Sequence, residues 1–203
     1  MSKCRRILIL WIAIALLPQI LRSQEETVSV PKVRKNDIKI TLLSIGSGST
    51  RLTYERAITP RTSAELTIGV IGLGVDWIHH TRSRGGLIKL AYKWNVVPML
   101  KANSPLAGFY LKPEFVIADF KYAPKNASVT EDMSRYPKHT LQGALLGEFG
   151  YQLLLKWFVF DVYAGLGPTW GNGNEMNYYH GFMRFPKDGW LSFTAGFRLG
   201  VAF

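Results

Sequence analysis

Beyond its first two dozen residues this chain contains no cysteine; the only one is Cys4. If that leader is removed, the mature protein has no thiol, which excludes disulfides, cysteine metal sites and a cysteine nucleophile. The mature part also lacks any apolar run long enough for a spanning helix, which needs about 20 residues. Helical spacing is hard to find anywhere after residue 37. Acidic residues are sparse, 14 against 25 Lys and Arg, so the net charge is +11 and the pI about 9.8. Such a balance suits nucleic acid or an anionic membrane surface.

The first residues decide between those partners. Lys3, Arg5 and Arg6 precede an unbroken apolar stretch from Ile7 to Leu17, which Pro18 and Gln19 end. A positive start, a short apolar core and a small residue at Ser23 are the grammar of a secretory signal peptide. The apolar core is too short for a membrane anchor. Residues 1–23 are therefore expected to be cleaved, and residues 24–37 to form a flexible periplasmic leader. Loss of Lys3, Arg5, Arg6 and Arg22 lowers the charge from +11 to +7. Export removes nucleic acid from the expected partners.

From Ile38 to Phe203 the hydrophobic period is two, the signature of strands. Eight are expected: Ile38–Ile45, Gly48–Ala57, Ser63–Leu73, Gly86–Val96, Ala107–Lys121, His139–Leu153, Trp157–Thr169 and Trp190–Phe203. One face of each is apolar. The opposite faces carry Lys39, Arg51, Glu55, Glu65, Lys89, Lys93, Lys112, Glu114, Glu148, Asp161 and Arg198. A soluble sandwich or lipocalin-type barrel shows the same alternation, so periodicity does not choose between them.

Three other features point to lipid. Most of the segments are longer than the usual soluble strand of about 5–6 residues and match the 9–11 of a tilted membrane strand. Connections alternate: Ile58–Thr62 and the break near Lys156 are tight, whereas 74–85, 122–138 and 170–189 are long and polar. That is the outer-membrane barrel pattern. Tyr54, Trp94 and Trp157 mark the short-turn ends of strands, and Trp170 and Trp190 the long-loop ends, where amphipathic rings favour lipid–water interfaces. By parity, Trp157 and Trp190 point inward. An even strand count, with a tight turn at Gly46–Ser49, puts both termini on the short-turn side. Reading Ile38–Ala57 as one bent strand leaves seven strands and separates the termini.

The fold expected is all-β: an eight-stranded antiparallel transmembrane outer-membrane β-barrel over residues 38–203, preceded by a cleaved signal peptide. The last segment, "FRLGVAF", resembles the C-terminal signal that bacterial barrel-insertion machinery reads, with Phe197, Leu199, Val201 and the terminal aromatic Phe203 on the lipid side. On the opposite parity, Thr194 and Gly200 are expected to accept serine silently. "ITLLSI" (Ile40–Ile45), "YERAIT" (Tyr54–Thr59), "GFYLKPEF" (Gly108–Phe115) and "YAGLGPTWG" (Tyr163–Gly171) resemble the small outer-membrane β-barrel proteins of Bacteroidetes bacteria. The barrel domain of that family has no assigned function. The resemblance implies the barrel and its location and brings no catalytic residues.

An eight-stranded barrel has an interior just filled by side chains. Arg51, Glu55, Glu65, Lys89, Lys112, Glu114, Glu148, Asp161 and Arg198 are expected to form a paired lumen network without a pore, the alternative being a narrow ion path. On the outer loops, Arg82, Arg84, Arg135 and Lys138 are candidates for phosphates of lipopolysaccharide, since guanidinium matches phosphate; a solvated loop is the plainer reading. His79 and His80 are adjacent and cannot readily share a metal with Asp76. Ser134, His139, His180 and Ser192 have the residue types of a lipid-modifying hydrolase, but no spacing joins them. "GVIGLG" (Gly69–Gly74) is not followed by a helix and is not a dinucleotide loop. No cofactor is expected. The partners expected are outer-membrane lipid and the insertion machinery, and the protein is expected to be a monomer.

Overall fold

A computed structural model describes residues 33–76, 83–99, 104–122, 138–172, 178–185 and 189–203. The signal segment and most of the leader lie outside the described residues. The chain forms β1 (Asn36–Thr41), one helical turn α1 (Leu42–Gly46), β2 (Ser47–Thr59), β3 (Thr62–Asp76), β4 (Arg84–Pro98), β5 (Gly108–Tyr122), β6 (Lys138–Leu155), β7 (Phe158–Gly171), the two-residue β8 (Met183–Arg184) and β9 (Leu191–Ala202). The sheet runs β1-β2-β3-β4-β5-β6-β7-β9 and closes by β1–β9 pairing, all antiparallel. Eight strands therefore make the barrel, and β8 is an added ribbon on β9.

β1 and β2 pair with each other, Asp37 opposite Glu55 and Ile40 opposite Leu52, so the single-bent-strand alternative does not hold. The first strand differs from expectation at both ends. It starts two residues earlier, at Asn36, and stops at Thr41 rather than Ile45. Asp37, Lys39 and Thr41 face inward and are buried. By parity, continued extension would point Leu43 and Ile45 inward as well. The chain instead curls into α1, which buries Ser44 and leaves Leu43 57% exposed. Ser44 Oγ donates to the Thr41 carbonyl at 2.6 Å, the kind of local bond that competes with a strand ladder. Gly48, the second residue of β2, takes φ 83 at the register shift between Ser47 and Ser49.

The two ends of the barrel sequence meet: Asn36 N–H donates to the Phe203 carbonyl at 3.1 Å. On that side the turns are short. Thr59 Oγ1 accepts from Arg61 and Thr62 N–H around Pro60, whose fixed φ suits a turn. Leu155 pairs with Phe158, so β6 and β7 are joined by Lys156–Trp157, with Lys156 at φ 58. The β4–β5 connection is longer, and its Ser104, Leu106 and Ala107 are buried.

Alternation along the strands is inside-out relative to a water-soluble barrel. β5 alternates buried and exposed over its whole length. Its exposed side carries Phe109, Leu111, Phe115 and Ile117; its buried side carries Tyr110, Lys112 and Glu114. The other strands repeat this: Leu52, Ile68, Leu90, Leu145, Phe149 and Leu166 are exposed while Lys39, Glu55, Glu65, Lys93, Glu148 and Asp161 are buried. Trp94 and Trp170 are exposed as expected. Trp190 is a correction: it lies ahead of β9 and is 70% exposed, not inward.

Candidate functional site

The lumen is built by the inward parity of all eight barrel strands. β1 contributes Asp37 and Lys39, β2 Arg51 and Glu55, β3 Glu65, β4 Lys89 and Lys93, β5 Lys112 and Glu114, β6 Glu148, β7 Asp161, and β9 Arg198. Each is at least nine-tenths buried. The nine lumen candidates read from the sequence are thus all inside, with Lys39 and Lys93. Asp37 was missed because it was assigned to the leader, although it stands two residues before Lys39, the spacing of one strand face.

Strand register creates an electrostatic problem that Lys39 resolves. Asp37 lies opposite Glu55, and Glu55 opposite Glu65, so three carboxylates form a row across β1, β2 and β3. Like charges directly opposite are destabilising. Lys39 Nζ reaches all three: Asp37 at 3.5 Å, Glu55 in closest contact, and Glu65 at 2.9 Å. It also meets Asp161 at 3.5 Å.

Glu65 is the second hub, accepting from Lys112 at 2.9 Å and Arg198 at 3.0 Å. Lys112 continues to Glu114 at 3.1 Å and Glu148 at 2.8 Å, and Glu114 to Lys89 at 2.6 Å. Arg198 pairs with Asp161 at 2.8 Å, its direct cross-strand partner. Tyr110 Oη donates to Asp161 at 2.8 Å. Gln152 accepts from Lys93 and Lys39 and donates to Asp37. The ring faces of Tyr110 and Tyr163 sit 4.5 Å from Lys93 Nζ and Arg198 Cζ respectively, at cation–π range. Buried ions need this density of partners, because desolvating each one is expensive.

Protein fills the lumen above and below this network. On the termini side, Lys93 donates to the Leu106 carbonyl at 3.1 Å and Asn95 to that of Pro105. Ala107, Leu154, Val159 and Ala202 form a small apolar cluster there. On the far side, the segment before β8 folds inward. Lys89 and Thr194 both donate to the Gly181 carbonyl, at 3.3 and 3.2 Å. Tyr179 stacks on Phe182 at 5.6 Å, and His180 meets Phe120 edge-on at 5.0 Å. Phe120, Tyr179 and Phe182 join Ile71, Leu87, Val116 and Leu146 in the larger apolar cluster.

The other candidates are scattered. Arg84 and Lys138 are exposed at the starts of β4 and β6; Arg82 and Arg135 lie outside the described residues. Arg84 pairs with Lys121, an outward cationic pair on the rim away from the termini, and Lys121 pairs with His139. Lys121 was missed because a single Lys near a strand end carries no sequence signal. His139 Nε2 contacts Asp119 at 2.5 Å on the outer face, whereas Ser192 Oγ donates inward to the Gly167 carbonyl at 2.8 Å, so these two do not form a nucleophile–base pair. His79, His80 and Ser134 lie outside the described residues. No group of metal-ligating side chains occurs among the described residues.

The geometry defines a class: a closed eight-stranded antiparallel barrel with a charged, filled interior and an apolar exterior. Compared with protein families, characterised proteins and solved structures, the chain matches none.

Proposed function

We propose that the protein is an integral bacterial outer-membrane β-barrel with a structural, surface-interaction or envelope-maintenance role and no pore. The observation that carries this reading is the inverted alternation, with exposed Leu, Ile, Val, Phe and Trp around the barrel and ion pairs within it. Soluble monomers rarely expose contiguous apolar patches beyond several hundred Å², whereas lipid requires such a face and a closed sheet without edges. The signal-peptide grammar of residues 1–23 and the resemblance to small Bacteroidetes barrels support the same reading. In this orientation the long loops are extracellular and both mature termini periplasmic. The cationic rim of Arg84, Lys121 and Lys138 then lies among lipopolysaccharide phosphates. The bonded lumen favours rigidity over conduction.

Membrane fractionation with heat-modifiability tests this. The protein is expected in the outer membrane, migrating differently boiled and unboiled. Recovery by osmotic shock would overturn the reading, and stepwise currents in planar bilayers would overturn the filled lumen. Phe203→Ala, which removes a side chain 55% exposed and keeps the backbone hydrogen bonds to Asn36, is expected to reduce assembled protein with little change in the stability of what assembles. Normal assembly would remove Phe203 from the insertion signal.

A further inference from the structure

The barrel seam is not equally closed along its height. β9 runs Leu191–Ala202, but β1 pairs only with Arg198–Ala202. The ribbon β8 covers only Ser192 and Phe193. From Thr194 to Phe197, β9 has β7 on one side and, among the described residues, no strand on the other. The cause is α1: where β1 would continue, the chain turns away.

The gap is a cleft of about 360 Å³, within the usual range for small-molecule sites of about 300–1,000 Å³. Leu43, Met183, Phe193 and Ala195 line its mouth and are exposed on the barrel's outer face. Ser47 and Arg51 line its floor and are buried. The cleft thus connects the apolar exterior to the polar lumen.

Arg51 makes this a site. It is only 6% exposed. Lys39, Lys89, Lys93, Lys112 and Arg198 each bind at least one carboxylate. Among the described residues Arg51 binds none. One of its Nη atoms donates to Tyr178 Oη at 3.1 Å, Tyr178 Oη in turn meets Ser47 Oγ at 2.6 Å, and Arg51 Nε has no hydrogen-bond partner among the described residues. A buried guanidinium without an anion is costly, and its planar fork matches a carboxylate bidentately.

We propose that this lateral cleft binds a single-chain fatty acid. Arg51 holds the carboxylate, with Tyr178 and Ser47 beside it, and the chain lies between Leu43 and Phe193 towards the outer face. One cation and one narrow apolar slot fit one head and one chain. Lateral access from lipid rests on the membrane reading; binding itself does not. Wild-type protein that fractionates with the outer membrane yet takes up no fatty acid fails this inference alone.

The test is native mass spectrometry of the refolded full barrel in dodecyl maltoside, with dodecanoate, dodecanol or dodecyl phosphate added at equal concentration. One dodecanoate is expected per barrel, retained well above dodecanol. Arg51→Gln is expected to lower dodecanoate retention roughly tenfold or more and leave dodecanol unchanged. Ala195→Trp alters only an exposed mouth residue and keeps the test open if Arg51→Gln does not fold; it is expected to abolish retention of dodecanoate. Equal retention of dodecanoate and dodecanol overturns the proposal, as does wild-type retention by both variants. Preferred retention of dodecyl phosphate overturns the choice of a carboxylate.

Discussion

Lys39 and Arg51 are buried cations on neighbouring strands of one lumen, and they are treated in opposite ways. Lys39 lies where β1 is paired on both sides, with β2 and with β9, and it meets four carboxylates. Arg51 lies beside the stretch of seam that β1 has left, and its described polar partner is a tyrosine hydroxyl. Where the ladder is complete, charge is consumed by the protein's own side chains. Where it opens, a charge is left for something else. One lumen therefore contains a structural region and a binding region, separated by where a single strand ends.

The largest expected effect is at the structural pole. Lys39→Met leaves Asp37, Glu55 and Glu65 in a row without their shared cation. Breaking a buried pair costs about 3–5 kcal/mol, to be read as a lower denaturant midpoint of the heat-modifiable form. Arg51→Met, at the binding pole, is expected to stay within about 1 kcal/mol of wild type, because no carboxylate is orphaned and a buried unpaired charge is removed. Equal losses from the two substitutions would erase the contrast.

Next comes the outer face beside the closed seam. Leu199→Arg places a charge among Phe160, Phe197 and Val201 on the apolar exterior. Near mid-membrane this costs roughly 2–4 kcal/mol, and the same measurement is expected to show it together with reduced assembly. A silent Leu199→Arg would mean that this face does not meet lipid.

Smaller effects sharpen the difference between paired and open seam. Gly200 pairs with Lys39, and a Cβ there would lie 2.2 Å from the Ile38 carbonyl oxygen and 2.8 Å from Lys39 Cγ. Gly200→Ser, expected from parity to be silent, is instead expected to cost about 1–3 kcal/mol through overpacking. Thr194, on the open stretch, keeps its hydroxyl bond to Gly181 when changed to serine, and that variant is expected to fall within about 0.5 kcal/mol of wild type. Both are read from the same denaturation curves.

The strands and their two faces were legible because the sheet period is two and the inward and outward environments differ strongly in polarity. Lys39, Glu65, Lys112 and Arg198 stand on one parity, and any closed sheet of these segments puts them in one space. The tightness of Gly200 was not legible, because it depends on how closely the β1 backbone passes. Nor was the burial of Tyr179, His180 and Phe182, since nothing local tells a loop that folds into the lumen from one that stays outside.

By itself the sequence determined the alternation, the near balance of inward charges, the short turns at Pro60 and Lys156, and the start of the first barrel strand on the side where the last one ends. These follow from covalent periodicity and local backbone preference. Tertiary structure alone decided which carboxylates share Lys39, because cross-strand register sets those distances. It also decided that β1 stops at Thr41, where the chain leaves the ladder for α1. That one choice leaves Arg51 beside an open seam, a consequence of barrel closure that no local pattern records.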